Sequence, residues 1–277
     1  MKDALIVSAL SVIPKNRVTR WMGSLARTRF PRAIHRAFIR WYCKKYGVDL
    51  AECDADLDRF AHFTEFFTRP LLPGLRPIDP DPRAVVSPCD GKVYAVGDVE
   101  DGRIFQSERF KYAASELLGG DTRYDDGQYA VLYLSPRDYH RVHTPREGRV
   151  VRYTYRPGRL WPVFPAATQS VEALFAVNER LTTWLETDLG EVAVVMVGAF
   201  GVGRIRVVYD DVVSNQGLPA TDRALPSPLE LGRSAELGRF EMGSTVILLF
   251  RKSSVRWRIR AGDPVRVGQA IADALQN

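Results

Sequence analysis

The stretch Glu241-Met242-Gly243-Ser244-Thr245-Val246-Ile247-Leu248-Leu249-Phe250 runs from a small polar turn into six β-branched or apolar residues in a row. A run of that length without polar alternation is a strand covered on both faces. Comparable runs lie at 129–134 (YAVLYL), 150–155 (VVRYTY), 191–199 (EVAVVMVGA) and 204–209, each bounded by Gly, Pro or Asp. Helical spacing in this part of the chain is confined to short pieces near 113–118 and 171–176. The expected fold class is therefore α+β, with a mainly antiparallel, barrel- or sandwich-like β core over residues 66–277. Residues 211–235, which hold Pro219, Pro226 and Pro228, read as a long loop. The segment Gly262-Asp263-Pro264-Val265-Arg266-Val267-Gly268-Gln269 reads as two turns around a short strand. It displays no lysine, so no carrier function follows.

Residues 1–65 are different in kind. The first 45 hold eleven Lys or Arg and one acid, a net charge of +10, which leaves −4 for the rest of a chain whose total is +6. Such asymmetry points to a nucleic-acid arm or a membrane-surface element. Residues 4–13 are nearly all apolar, but about 20 residues are needed to span a bilayer, and Pro14-Lys15-Asn16-Arg17 stands where a signal-peptide cleavage site would be. Arg32, Arg36, Arg40 and Lys44 recur every four residues. Ile34, Phe38 and Tyr42 recur at the same interval on the opposite side of a helix, with Trp41 beside them. A basic stripe opposite an aromatic one suits a helix lying among anionic headgroups, and suits equally a helix docked on its own core. Because the aromatics form one stripe and are not interleaved along a basic groove, nucleic acid is the weaker partner. Three cysteines (Cys43, Cys53, Cys89) have no metal-ligand spacing and make no disulfide framework.

Three segments carry candidate chemistry. Ser87-Pro88-Cys89-Asp90-Gly91-Lys92 contains a turn-forming Asp-Gly; Pro136-Arg137-Asp138-Tyr139-His140-Arg141-Val142-His143 holds two of the four histidines; Gly243-Ser244 precedes the apolar strand. His35 and His62, in the helical region, read as packing or surface residues. His-x-x-His can chelate a metal, with Asp90 or Asp138 as a third ligand, but no Cys or His cluster accompanies it, and no metal is expected. A carboxylate, an imidazole and a hydroxyl are also the parts of a nucleophilic triad. On the residues alone, an Asp-His-Ser hydrolase accounts for them as well as any other reading.

In order and spacing these segments resemble the bacterial phosphatidylserine decarboxylase family. The likeness extends over Phe66-Phe67-Thr68-Arg69, Leu75-Arg76-Pro77-Ile78, Glu116-Leu117-Leu118-Gly119, Pro157-Gly158-Arg159-Leu160-Trp161-Pro162-Val163, Leu174-Phe175-Ala176-Val177-Asn178-Glu179-Arg180 and residues 238–250. Arg109-Phe110-Lys111-Tyr112 departs from it where a Lys-Gly pair precedes the tyrosine, and Met242 replaces the usual Leu. The resemblance implies a proenzyme that cuts itself at Gly243-Ser244 into a β chain, 1–243, and an α chain, 244–277. It implies that Ser244 becomes a covalent pyruvoyl cofactor forming a Schiff base with the substrate amine. It further implies that Asp90 orients His143 as the base for Ser244, that His140 returns a proton to the substrate carbon, and that Asp138 helps to orient His143. The implied substrate is phosphatidylserine, converted to phosphatidylethanolamine and CO₂, although a relative acting on a soluble amino acid stays open. The implied assembly is an α/β heterodimer, or a dimer of heterodimers, peripheral on the cytoplasmic face of an anionic cell membrane through residues 1–65.

Overall fold

A computed structural model describes residues 13–54, 56–201, 204–241 and 245–275. The apolar segment 4–12 and the expected cleavage site, Gly243 and Ser244, lie outside the described residues. Helices α1 (Lys15–Ala26), α2 (Arg32–Tyr46) and α3 (Phe63–Phe67) come first. Strands follow as β1 (Ala84–Val86), β2 (Gly91–Asp98), β3 (Arg103–Ser107), β4 (Phe110–Ala113), β5 (Gln128–Tyr133), β6 (Arg141–His143), β7 (Gly148–Arg156), β8 (Arg180–Thr187) and β9 (Gly190–Val197). Short helices α4 (Ala114–Leu117), α5 (Pro165–Thr168) and α6 (Leu174–Val177) interrupt them. The chain closes with β10 (Ile205–Val207), β11 (Thr221–Leu231), β12 (Glu236–Phe240), β13 (Thr245–Phe250), β14 (Val255–Trp257), β15 (Pro264–Val265) and β16 (Ala270–Ala274). The expected α+β class, mainly antiparallel with helices leading, is what forms.

The main sheet has eight strands in the order β11-β7-β8-β9-β13-β5-β2-β15, every pairing antiparallel. The apolar run 245–250 is one of its interior strands: Thr245 faces Tyr133 on β5 and Val197 on β9, and all six residues of β13 are buried. Smaller sheets, β1-β16-β14 and β10-β12-β6, pack around it, and β3 pairs β4 as a hairpin across the expected irregularity at Arg109. Residues after 244 therefore supply the middle of the main sheet, one of its edges (β15) and two strands of a small sheet. Two turns around the short strand β15 are found where they were expected.

One expectation is overturned. Residues 221–231 are not loop but the long edge strand β11, paired to β7 by register on either side of a break between Ala224 and Leu229. Pro226 and Pro228 sit in that break, where a missing N–H costs no ladder bond. Proline there marks an edge, which the composition alone could not distinguish from a loop.

A second apolar cluster joins the helices to the core. Ile39, Tyr42 and Cys43 of α2 pack with Leu57, Phe60, Phe63, Phe66 and Phe67. Tyr42 of the aromatic stripe thus turns inward, and its hydroxyl donates to the Pro136 carbonyl at 2.9 Å. Ile34, Phe38 and Trp41 are left exposed, at 59%, 43% and 52%. Opposite them, Arg36 pairs with Asp58 at 3.3 Å. His35 is buried, and His62 caps α3 by accepting from the Glu65 amide. No helix among the described residues is long and apolar enough to cross a membrane.

Gly91 fixes how closely β2 approaches β5. A Cβ at this position would be driven into the Tyr133 carbonyl oxygen, which belongs to backbone and cannot swing aside. Gly91→Ala is expected to destabilise the chain by about 2 kcal/mol or more, read from its urea midpoint against the wild type.

Candidate active site

Three pairings assemble the site. Strand β12 lies on β6, with Glu236 opposite His143 and Arg239 opposite Arg141, and the Phe240 amide donates to the His140 carbonyl at 3.0 Å. Lys92, Tyr133 and Thr245 stand side by side across β2, β5 and β13. The His143 amide donates to Pro88 at 2.7 Å. The described residues on either side of Gly243-Ser244 are thereby fixed: Glu241 donates its amide to the Arg204 carbonyl, and Thr245 begins β13. The segments of Asp90 and of the two histidines lie at the same end of the sheet as Thr245, the first residue of β13.

His143 is half-buried, and its partners define its tautomer. Nδ1 lies 2.7 Å from the Ser234 carbonyl oxygen, which only accepts, so Nδ1 carries the hydrogen. Nε2 then offers a lone pair, and the Tyr139 hydroxyl donates to it at 3.1 Å. Ser234 holds its carbonyl there from a left-handed backbone, φ 62, uncommon for a residue with a Cβ. Burial lowers the His143 pKa, against the opposing effect of the Ser234 bond, which favours the neutral ring. Both features suit a base.

Asp90 is placed differently from expectation. Its two oxygens accept from Arg76 Nε at 3.0 Å, and one of them also accepts from the Val267 amide at 2.9 Å. Arg76 in turn reaches Glu52 at 3.0 Å. The orienting contact between Asp90 and His143 is not among those formed, because the arginine and the amide occupy the carboxylate; the Ser234 carbonyl orients the ring instead. Asp90 acts on His143 only through space, as one of the charges that raise its pKa. Asp138 does not reach His143 either. Its carboxylate accepts from the Ser135 amide and hydroxyl, both at 2.7 Å, closing a turn.

The Asp138 carbonyl, by contrast, accepts from His140 Nδ1 at 2.7 Å. His140 is fully buried against the Phe67 ring, 4.1 Å between centroids, and its Nε2 has no hydrogen-bond partner among the described residues. Burial pushes its pKa down to about 3, so the resting ring is neutral and Nε2 is an acceptor. Arg76, Tyr139 and Ser234 were given no role on sequence. The first two lay inside quoted motifs, while Ser234 contributes only a carbonyl and left no side-chain signal.

Phe67 and Tyr133 also line an apolar cavity of about 730 Å³ between α1, α2 and the sheet. Trp21, Leu25, Phe30, Ile34, Phe38 and Trp41 surround it, all of them exposed. Phe67, in its wall, carries His140 on the face of its ring. Among the described residues no three His, Cys, Asp or Glu side chains converge as metal ligands would.

The lowered His140 pKa has a sign. The unfolded ring takes up a proton as pH falls below about 6.5, whereas the folded one resists to about 3. Its contribution to stability is full above 6.5 and drains away as pH falls towards 3. His140→Gln should shrink the loss of unfolding free energy between pH 7 and pH 4, measured by denaturant titration at both values.

Residues 63–273 match the family model described as phosphatidylserine decarboxylase. A phosphatidylserine decarboxylase proenzyme of Anaeromyxobacter sp. (strain K) is 48% identical over 99% of this chain and 100% of its own length. The proenzyme of Myxococcus xanthus (strain DK1622) is 41% identical over 98% and 99%, and that of Pseudomonas fluorescens (strain Pf-5) 40% identical over 99% of each. With the family model matched over most of the chain and such relatives aligned along nearly all of it, the chain belongs to the phosphatidylserine decarboxylase family.

Proposed function

We propose that this chain is a self-cleaving proenzyme whose mature form decarboxylates phosphatidylserine to phosphatidylethanolamine at a membrane surface. The observation that carries this reading is that a single ring, Phe67, separates the apolar cavity from the buried histidine. Phe67 lines the one and packs on the other, and Tyr133 lines the cavity while pairing Thr245, the residue after Ser244. A two-chained lipid would seat its tails in the cavity and bring its amino-acid headgroup to the histidines.

Self-processing follows from His143. Its Nε2 takes the Ser244 hydroxyl proton, and the oxygen attacks the Gly243 carbonyl, moving the acyl group from nitrogen to oxygen. Elimination breaks the Cβ–O bond and releases residues 1–243 as a carboxylate. The remaining dehydroalanine takes up water and loses ammonia, giving a pyruvoyl group at the head of the 34 residues 244–277. Once formed, that group supplies an electron sink for the departing CO₂. The surroundings fit it: His140 Nε2 is a buried acceptor without a partner among the described residues. His140 can take the proton that the substrate ammonium sheds and return one to carbon after CO₂ leaves, a role worth about 10²–10⁴ in rate. Asp90 serves through its charge, held by Arg76.

The exposed aromatics around the cavity mouth, with the Arg and Lys of α1 and α2, support peripheral seating on an anionic leaflet, the cytoplasmic face of the cell membrane. Each cation near such a surface adds roughly 1 kcal/mol. An α/β heterodimer is the assembly this reading requires.

On a denaturing gel the wild type should resolve into two fragments, the smaller with a blocked N-terminus, while Ser244→Ala and His143→Ala stay at 31.2 kDa. The mature protein should release CO₂ from phosphatidylserine and not from free serine. An active protein that runs as one intact band would refute the reading. Trp21→Ala with Trp41→Ala should lower retention on anionic vesicles several-fold, measured by flotation.

A further inference from the structure

On the far side of α1 from the apolar cavity lies a second, polar pocket of about 130 Å³. Trp21, Met22 and Leu25 face the first; Arg20, Gly23 and Arg27 face the second; Gly201 lines both. The polar pocket is completed by Arg204, Asn215, Gln216 and Glu241. Its charge is unbalanced. Glu241 is paired by Arg27 at 3.3 Å, Arg204 at 3.4 Å and Arg206 at 2.6 Å, and Arg20 lines the pocket as a fourth cation. The buried Glu179, which accepts from the Asn215 backbone amide and interacts with Arg20, is the second carboxylate, leaving four cations to two anions.

Two donors are also left over. Among the described residues Arg204 Nε pairs with Glu241 by charge but makes no hydrogen bond, and Nδ2 of the Asn215 side chain, a residue only 4% exposed, has no partner. Buried donors without acceptors are uncommon and costly. Burial, and then the crowding of Arg27 and Arg206, pull the Arg204 guanidinium down against the opposing pull of Glu241. A further anion, brought by a ligand, would relieve all of this at once.

We propose that this pocket seats the phosphodiester anion of the lipid substrate, with Arg20, Arg204 and Asn215 as its donors. The assignment rests on the decarboxylase reading above. Position supports it: the pocket shares α1 with the cavity offered to the acyl chains, and Glu241 leads directly into the expected scissile segment. Of the two anions a phosphatidylserine headgroup carries, the phosphate is the one that belongs among arginines. A carboxylate bound there would be stabilised in the ground state and would leave more slowly as CO₂, whereas the phosphate keeps its charge throughout the reaction.

The test uses the self-cleaved full-length protein, with phosphatidylserine in mixed micelles and inorganic phosphate as the free probe. Arg20→Met and Arg204→Met should each raise KM about ten-fold or more, with kcat changed less than about three-fold. Arg204→Lys should recover most of the loss, which a merely structural role would not give. Arg20 is exposed, so its variant does not depend on refilling a buried site. Phosphate that competes with the lipid in the wild type and more weakly in the variants supports the same pocket, as does a KM effect without phosphate binding. An unchanged KM in both Met variants overturns the proposal. So does a loss of phosphate binding with KM intact, which would make the pocket a free-anion site. If the wild type turns over no phosphatidylserine, the decarboxylase reading fails instead, and a phosphate-induced thermal shift that the variants lose would still report an anion pocket.

Discussion

Strand β13 is paired along both sides, to β5 through Thr245–Phe250 and to β9 through Thr245–Leu249, and nothing of it reaches solvent. Everything at the site is measured from its first residue. Thr245 sets Tyr133, Tyr133 sets Lys92 and so Gly91, and the close approach at Gly91 leaves room for no side chain there. A buried strand paired on both edges has little freedom to slide, since a shift of one residue would exchange its faces. Thr245 and the residues beside it are thus fixed by backbone hydrogen bonds, before any side chain contributes.

Carbonyls, not carboxylates, orient the two histidines. Ser234 and Asp138 each accept from an Nδ1, which leaves both Nε2 atoms as lone pairs, one under the Tyr139 hydroxyl and one with no partner among the described residues. A carboxylate in either position would raise the ring's pKa and favour the imidazolium. Neutral carbonyls, together with burial, keep both rings unprotonated with a lone pair on Nε2. The carboxylate that sequence assigned to this duty, Asp90, is bound instead to Arg76 and to the amide of Val267. It links the N-terminal part of the chain to the C-terminal part, as well as adding charge near His143.

The central strands were legible because a short apolar run with sharp boundaries and no helical spacing folds stably in few ways besides a covered strand. β11 was not, because its prolines and exposed side chains match loop composition, and only pairing with β7 distinguishes an edge. In α2 the stripe itself could be read, but not which members turn inward; Tyr42 is buried because α3 brings Phe63, Phe66 and Phe67 against it. At the site, residue types pointed to Asp90, His140 and His143, yet who holds whom depended on Arg76, one arginine among many, and on the carbonyl of Ser234, for which side-chain chemistry offers no sign. The excess of arginine around Glu241 was likewise hidden, since Arg27, Arg204 and Arg206 are separated from it by sequence and meet it only through folding.

The distribution of the C-terminal strands has a thermodynamic consequence. Before a cut at Gly243-Ser244, folding is a unimolecular event whose free energy does not depend on concentration. Afterwards the same sheets join two molecules, and residues 245–275 contribute an interior strand, a sheet edge and two strands of a small sheet to a body they no longer reach through the backbone. The fold then obeys mass action: dilution would favour dissociation of the unfolded pieces, and recovery from denaturant would be second order. Maturation would exchange a protein that can refold by itself for one whose persistence rests on the slowness of its unfolding.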